Sequence, residues 1–490
     1  MAKYDNHENI KNKIIYFYFN STRKHCKIEL EKLSEILDDI LSIIKISLYE
    51  CDDIKNIDIY VSYFILLYKL IAYTRDINAG KGERDLTYMM IDIWYKYFPD
   101  LARNILETIT EKYGSWKDLK YFCKYTKNEN GIDDSIKIWN NQLEKDLLSY
   151  GECKRISLVS KWIPREKSAF GWLFEKSAVE WYSRIYINLP SNINTIKKKY
   201  RILLSFLNTK IDTPQIKETQ GKWSEIIPEN ISLTTKSKQY NTFLNVNNSL
   251  DIERINCKNN FEKYYDKYPK MNHFYSKSFH LGEYSKKLHI QNQKYWDEIK
   301  KDILYSVKKE KKDKQFLLPI VNISITNEEE YLDAISIGCM ISELSVIHNR
   351  MIVYDKNAYW MNMSNCSIIQ KIKKIKEKTI RKGNSNILNV LELMRETKQD
   401  LMKVTLVIIS DFSTEPINLN KIIMEKIDKS PEKIIYWNVG SKIPLYLPLN
   451  LNDSKNNILI SGSSSSIIKY LYQHFETFTD IFSFLNNFVI

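Results

Sequence analysis

The spacing of apolar residues changes once along this chain, near residue 315, and that change limits the possible fold more than any other feature. From residue 28 to about 208 the apolar positions recur every three or four residues, as in Leu33, Ile36, Leu37, Ile40, Leu41 and Ile44. Such spacing lines one face of a helix. It predicts helices over 28–49, 57–74, 84–97, 99–112, 115–127, 133–149, 166–186 and 193–208, joined by short connections. A run of paired helices without long loops packs as a bundle or an α-solenoid. Beyond 315, apolar runs of strand length alternate with helical segments. LLPIVNISI (317–325), MIVYD (351–355), VTLVIISDF (404–412), KIIYWNVG (433–440) and ILISG (458–462) read as strands. Helices are predicted over 330–346, 366–379, 386–398, 417–428 and 465–488. This alternation gives a doubly wound, mostly parallel sheet. The expected fold class is α + α/β.

A chain of 490 residues exceeds a single core. Three segments are expected: an all-helical domain over 1–227, an irregular connecting region over 228–314, and an α/β domain over 315–490. The net charge of +13 is unevenly placed, with 53 basic and 42 acidic residues up to 313 and 20 against 18 afterwards. A surplus in one half points either to a polyanion-facing surface or to a solvated, lysine-rich exterior. Seven cysteines, an odd number with no CxxC, indicate neither a zinc site nor a disulfide framework. They fit thiols in a reducing, intracellular and cytoplasmic setting. The polar start MAKYDNHENIKNK lacks the apolar core of a secretory signal. The apolar stretch 57–73 is interrupted by Asp58 and Lys69, so no membrane span is expected. No HExxH, GxSxG, GxGxxG or P-loop spacing occurs. The expectation is a protein that is not an enzyme and carries no organic cofactor.

In open parallel sheets, ligand sites gather at the carboxyl ends of the strands. Those ends carry Asn322-Ile323-Ser324-Ile325-Thr326, then Gly383-Asn384-Ser385-Asn386 in a later loop, and Asp411 after the 404–410 run. A hard cation such as Mg²⁺ takes about six oxygen ligands, hydroxyls and carboxylates among them. Ser324, Thr326, Ser385 and Asp411 offer such oxygens, while Asn322 brings an oxygen without a charge. The set reads either as a weakened Mg²⁺ site or as a hydrogen-bonded remnant of one.

Two basic clusters stand out in the helical half. Arg75, Lys81 and Arg84 flank the Gly80–Gly82 turn, where a phosphate could approach the backbone. The same residues also suit a plain helix–helix turn with Arg75 paired to Asp76 or Glu83. Lys161, Arg165 and Lys167 surround Trp162 and Pro164. Mixing of this kind stacks bases while holding a phosphate backbone, and it equally suits an indole anchored in a core.

The 322–326 run resembles the Asp-x-Ser-x-Ser opening of the metal-ion-dependent adhesion site in von Willebrand A domains, with Asn322 replacing the leading Asp. TRDINAGKGERDLTYMMI (74–91), YGSWKDL (113–119), KWIPREKS (161–168), GKWSEI (221–226), LPIVNISIT (318–326), GNSNILNVLELM (383–394) and IISDF (408–412) fall in an order that extends the likeness over about 60–460. Over that span the chain resembles the TROVE-related family catalogued as domain of unknown function 2828, found in plants, fungi and large DNA viruses. It is more distantly similar to the Ro ribonucleoprotein autoantigen, in which a ring of HEAT-like helices binds structured RNA and RNA ends. The resemblance implies a HEAT-like helical domain followed by a von Willebrand A-like domain with a degenerate adhesion site. It further implies an RNA-associated scaffold, with Arg75, Lys81, Arg84, Lys161, Arg165 and Lys167 as candidate backbone contacts and protein partners docking on the α/β domain. The alternative is a protein-interaction or structural component, for instance one packaged in a virion, that binds no nucleic acid.

Overall fold

The computed structural model describes residues 7–50, 54–186, 192–211, 213–231, 235–236, 239–267, 291–309, 315–379, 385–396, 403–416, 418–426, 431–449 and 457–473. The chain is α + α/β, with helices up to residue 309 and a six-stranded sheet after it. It divides into two compact units. The first comprises Met1–Ser115, Lys124–Gly131 and Phe274–Ile490, the second Trp116–Cys123 and Ile132–His273. These boundaries differ from the expected division at 227 and 314, because the first hundred residues pack with the α/β segment.

In the first unit the helical period works as read. Helices α1 (His7–Asn20), α2 (Lys27–Glu50), α3 (Ile54–Arg75), α4 (Asp85–Tyr97) and α5 (Pro99–Thr108) pack on one another. The stripe Leu33, Leu37, Ile40, Leu41 and Ile44 is the buried face of α2. Trp94 of α4 lies among Phe64, Tyr68 and Phe98, with ring centroids 5.0, 5.0 and 5.6 Å away. Helix α3 starts three residues earlier than predicted. By length and composition alone it is long and apolar enough to cross a membrane, yet its carboxyl half from Leu66 is largely buried in this unit.

The second unit holds α6 (Lys117–Tyr125, up to Cys123), α7 (Glu129–Gly151, from Ile132), α8 (Val159–Trp162), α9 (Gly171–Ile185), α10 (Ile193–Lys210), α11 (Pro214–Thr219), α12 (Tyr240–Phe243) and α13 (Ile252–Lys267). Its interior is aromatic: Tyr200 contacts Phe174 and Trp181 at 5.5 Å each. The Tyr200 hydroxyl donates to Asn140 Oδ1 at 2.7 Å, and Asn140 Nδ2 donates to the Ser177 carbonyl at 3.0 Å. The buried Asn140 amide is therefore satisfied at both its oxygen and its nitrogen.

The remainder of the first unit begins with α14 (Gln291–Lys309) and continues into the sheet. Strands β1 (Leu317–Asn322), β2 (Arg350–Tyr354), β3 (Ala358–Asn362), β4 (Thr405–Ser410), β5 (Lys433–Asn438) and β6 (Asn457–Ser461) lie in the order β3-β2-β1-β4-β5-β6. All neighbours are parallel except β3, which runs antiparallel to β2. β1 and β4 are buried along their whole length, the pattern of strands covered on both faces. One face, carrying Val321, Val353, Ile409 and Trp437, meets α14, α15 (Glu328–Leu344), α16 (Ile368–Lys376) and the last described helix, Ser465–Gln473. Helix α17 (Leu388–Glu396) packs by β2 and β3, and α18 (Leu419–Lys426) receives Tyr436 of the opposite face through Asn420 Oδ1 at 3.1 Å. A buried ion network ties the first layer. Glu343 of α15 accepts from Lys371 Nζ at 2.7 Å, Trp296 Nε1 at 2.9 Å and Lys300 Nζ at 2.8 Å. Burial opposes ionisation of Glu343, but the two lysines hold it below the ordinary carboxylate range. Residues 310–314, between α14 and β1, and the last predicted helix beyond 473 lie outside the described residues.

Candidate functional site

In this strand order the chain leaves β1 in one direction and returns through β4 on the other side, so the carboxyl ends of β1 and β4 flank the switch point where such sheets bind ligands. Asn322 ends β1 and Ser410 ends β4, and both are fully buried. Asn322 Oδ1 accepts from the backbone N and the Oγ of Ser324, each at 2.8 Å. Its Nδ2 donates to Ser410 Oγ at 3.0 Å and to Glu415 Oε1 at 3.3 Å. The same oxygen of Glu415 accepts from Tyr354 Oη at 2.6 Å and from Ser410 Oγ at 3.1 Å. Glu415 was not singled out from the sequence; Ser-Thr-Glu-Pro after a strand carries no marker beyond a turn. Although the residue is only half-buried, its carboxyl group is enclosed, and burial pushes its pKa up to about 7, with Asp411 adding repulsion and the three donors opposing it.

The remaining members of the predicted metal set separate. Asp411 is held in its own turn, accepting from Ser413 N at 3.3 Å and Ser413 Oγ at 2.8 Å. Gly440 lies so close to it that an added Cβ would sit 2.6 Å from Asp411 Cβ. Ser385 pairs with Thr414 Oγ1 at 2.6 Å, and Thr326 is exposed with no hydrogen bond to the cluster among the described residues. Gly383 and Asn384 lie outside the described residues. The oxygens and hydroxyls around this set are engaged with one another. Three proton donors converge on Glu415 Oε1, and the Asn322 oxygen already serves Ser324. Among the described residues no cluster of three or more His, Cys, Asp or Glu side chains forms a metal site.

The Gly80–Gly82 turn requires a correction. Lys81 is 0% exposed and Arg75 3% exposed, so neither reaches a polymer at the surface. The turn instead caps α3, with Lys81 N donating to Tyr73 O at 3.0 Å and Glu83 N to Thr74 O at 2.9 Å. Gly80 is required because a Cβ would lie 2.0 Å from the Tyr73 carbonyl oxygen. Lys81 Nζ donates to Ser461 Oγ at 2.6 Å and to Ser21 O at 2.7 Å. Burial drives its pKa well below the lysine range, with Glu83 opposing. Arg84 does reach solvent, where it pairs with Asp85 at 3.4 Å.

The second cluster is gathered. Lys120, from the predicted helix at 115–127, places Nζ 5.2 Å from the Tyr121 ring centroid, 5.5 Å from Trp162 and 5.2 Å from Phe170. Lys117 and Lys161 approach the Trp162 ring at 5.9 and 5.8 Å. Each is within the range of a cation–π contact. Trp162 is part-exposed rather than sealed in a core, and Arg165 and Lys167 are exposed. Lys161 also donates to Gln215 Oε1 at 2.8 Å, and burial lowers its pKa, as it does for Lys120. Sequence reasoning missed Lys117 and Lys120, which are close to Trp162 only in the fold. The second unit's segments carry 25 Lys and Arg against 17 Asp and Glu, a net of +8 within the chain's +13. Several of its carboxylates are already engaged by other cations, Glu166 by Lys197 and Arg201, and Glu180 by Arg184.

No protein-family model matches this sequence, and no curated protein matches it.

Proposed function

We propose that the chain is a non-enzymatic, RNA-associated scaffold. In this reading the second unit holds single-stranded RNA through its basic–aromatic cluster. The α/β segment is a von Willebrand A-like domain with a degenerate adhesion site, and it docks protein partners. The observation that carries the proposal is Lys120 set against three rings, with Lys117 and Lys161 on the same indole. Aromatic faces beside cations stack bases while the cations neutralise phosphates. Lys117, Lys120, Lys161, Arg165 and Lys167 are the proposed backbone contacts and Trp162 the proposed platform. The mostly parallel sheet with hydroxyl-bearing residues at its switch point supports the von Willebrand A-like assignment.

Filter binding of a single-stranded RNA across a salt series tests it. Each phosphate contact adds about −0.7 to the slope of log K against log salt. Lys120→Ala should flatten the slope by about that amount, and Trp162→Ala should weaken binding by about 1–3 kcal/mol with the slope retained. A flat or undetectable salt response overturns the proposal. Purification with stoichiometric protein and no nuclease-sensitive RNA would favour the structural-component reading instead.

A further inference from the structure

A helix leaves its last four carbonyls without intrahelical partners, and partial negative charge collects at that end. Helix α1 has no basic residue in its last turn and runs on through Ser21 and Thr22 rather than a glycine cap. Its final carbonyls are nevertheless satisfied, those of Tyr18 and Phe19 by distant parts of the first unit. Ser461 Oγ, at the end of β6, donates to Tyr18 O at 2.5 Å. Asn438 Nδ2, at the end of β5, donates to Phe19 O at 2.9 Å. Lys81 Nζ donates to Ser21 O at 2.7 Å and lies 4.6 Å from the Tyr18 ring centroid. Thr22 Oγ1 donates to the Gly440 carbonyl just past β5. Local bonds complete the cap, Ser21 Oγ donating to Phe17 O at 2.7 Å and Thr22 N to Asn20 O at 2.8 Å.

Three features make this a receptor rather than incidental packing. The donors address main-chain carbonyls, so they read helix-end geometry more than side-chain identity. The buried Lys81 amine sits where the helix end is negative, which offsets part of its burial. An aromatic seat completes the surface: Phe19 packs on Phe412 with centroids 5.3 Å apart, and Phe412 contacts Tyr436 at 6.3 Å. Phe412 has φ +52°, a left-handed conformation uncommon for a bulky residue, and this holds its ring toward the seat.

We propose that the carboxyl ends of β5 and β6, with Lys81, form a receptor for the carboxyl end of a helix. Its resident ligand is α1 of the same chain, and it takes the α1 end of a second copy when its own is withdrawn. Exchange of an identical element between copies preserves every contact and needs only an opened connection. Arg23 to Cys26, between α1 and α2, are the part-exposed or exposed residues that would open. The receptor lies wholly in the first unit, so this inference stands apart from the RNA-binding proposal.

The probe is a fluorescein-labelled peptide of residues 7–25, and the readout is anisotropy with the full chain. In the unaltered chain α1 fills the receptor and no binding is expected. Phe19→Asp sets a carboxylate against Phe412, frees the receptor and should allow saturable peptide binding. Adding Lys81→Met, which keeps the apolar stem and removes the donor, should weaken that binding about tenfold or more. Hydrogen-exchange protection of β4 reports whether the sheet is intact. If Phe19→Asp loses that protection, Thr22→Val, which removes one hydrogen bond, is the background instead. The inference is overturned by a protected background that takes no peptide at about 100 μM, by equal binding to the unaltered chain, or by binding indifferent to Lys81→Met.

Discussion

Replacing Glu415 by Gln asks whether the switch point is held together by a proton. In the folded chain Glu415 titrates at about 7 instead of 4.5, chiefly through burial. That displacement corresponds to at most about 3 kcal/mol, at about 1.4 kcal/mol for each tenfold change in proton affinity. Reorientation of the neighbouring hydroxyls toward the ionised carboxylate should leave about 2 kcal/mol of this. The sign follows from linkage. The folded state keeps this proton to a higher pH than the unfolded state does, so the contribution is fully present below pH 4.5 and is lost as pH rises through 7. Gln retains an oxygen for Tyr354, Ser410 and Asn322 and cannot ionise. Glu415→Gln should therefore be only slightly more stable than the unaltered chain at pH 5. It should be more stable by about 2 kcal/mol at pH 8 and gain little above that. Urea unfolding at both pH values, followed by protection of the β4 amides, measures the difference. An equal effect at pH 5 and pH 8, or a less stable Gln variant at pH 8, would refute the reasoning.

Three further outcomes are expected. Gly80→Ala should destabilise the first unit by about 2–4 kcal/mol or prevent its folding, because the new Cβ meets the Tyr73 carbonyl; thermal unfolding measures it. Glu343→Ala should cost about 3–5 kcal/mol by leaving Lys371 buried without its carboxylate, and Glu343→Leu with Lys371→Met should recover most of that loss in the same assay. Asn322→Asp replaces the donor facing Ser410 and Glu415 with a second carboxylate. Its urea midpoint should fall more at pH 8 than at pH 5, since only at the higher pH are both groups charged.

Elements with a strong period were legible in the sequence. The stripe of α2 and the buried runs of β1, β4 and β5 declare themselves through spacing and β-branched content. β3 was missed because it is an edge strand: Ala358 to Trp360 are part-exposed and Asn362 is exposed, so no apolar run marks it. α1 was missed for the opposite reason. IIYFYF at 14–19 is apolar nearly throughout, since α1 is buried on several sides, and such a run shows no period. The carboxyl-end residues were correctly placed on the sheet, but their partners were not legible, because Glu415 reaches Tyr354 and Asn322 only through the fold. The Gly80–Gly82 turn misled for a related reason. Glycine beside lysine suits a phosphate loop and a tight helix cap equally, and only the position of the Tyr73 carbonyl separates the two.

The carboxyl edge of the sheet is where an open α/β fold ordinarily leaves donors and acceptors for a ligand. Here they are spent inside the first unit. Glu415 Oε1 takes three donors, the Asn322 oxygen serves Ser324, and Asn438, Ser461 and Lys81 are turned onto the end of α1. A small ligand bonding to these groups must therefore displace an existing hydrogen bond at each, and the net gain of such exchanges is small. The second unit presents the opposite balance. Glu166 and Glu180 are occupied by Lys197, Arg201 and Arg184, while no carboxylate lies within ion-pair distance of Lys120 among the described residues. A cation resting on rings rather than on a carboxylate gives up little when an anion arrives. That asymmetry, more than the count of charges, supports assigning anion binding to the second unit and internal closure to the sheet.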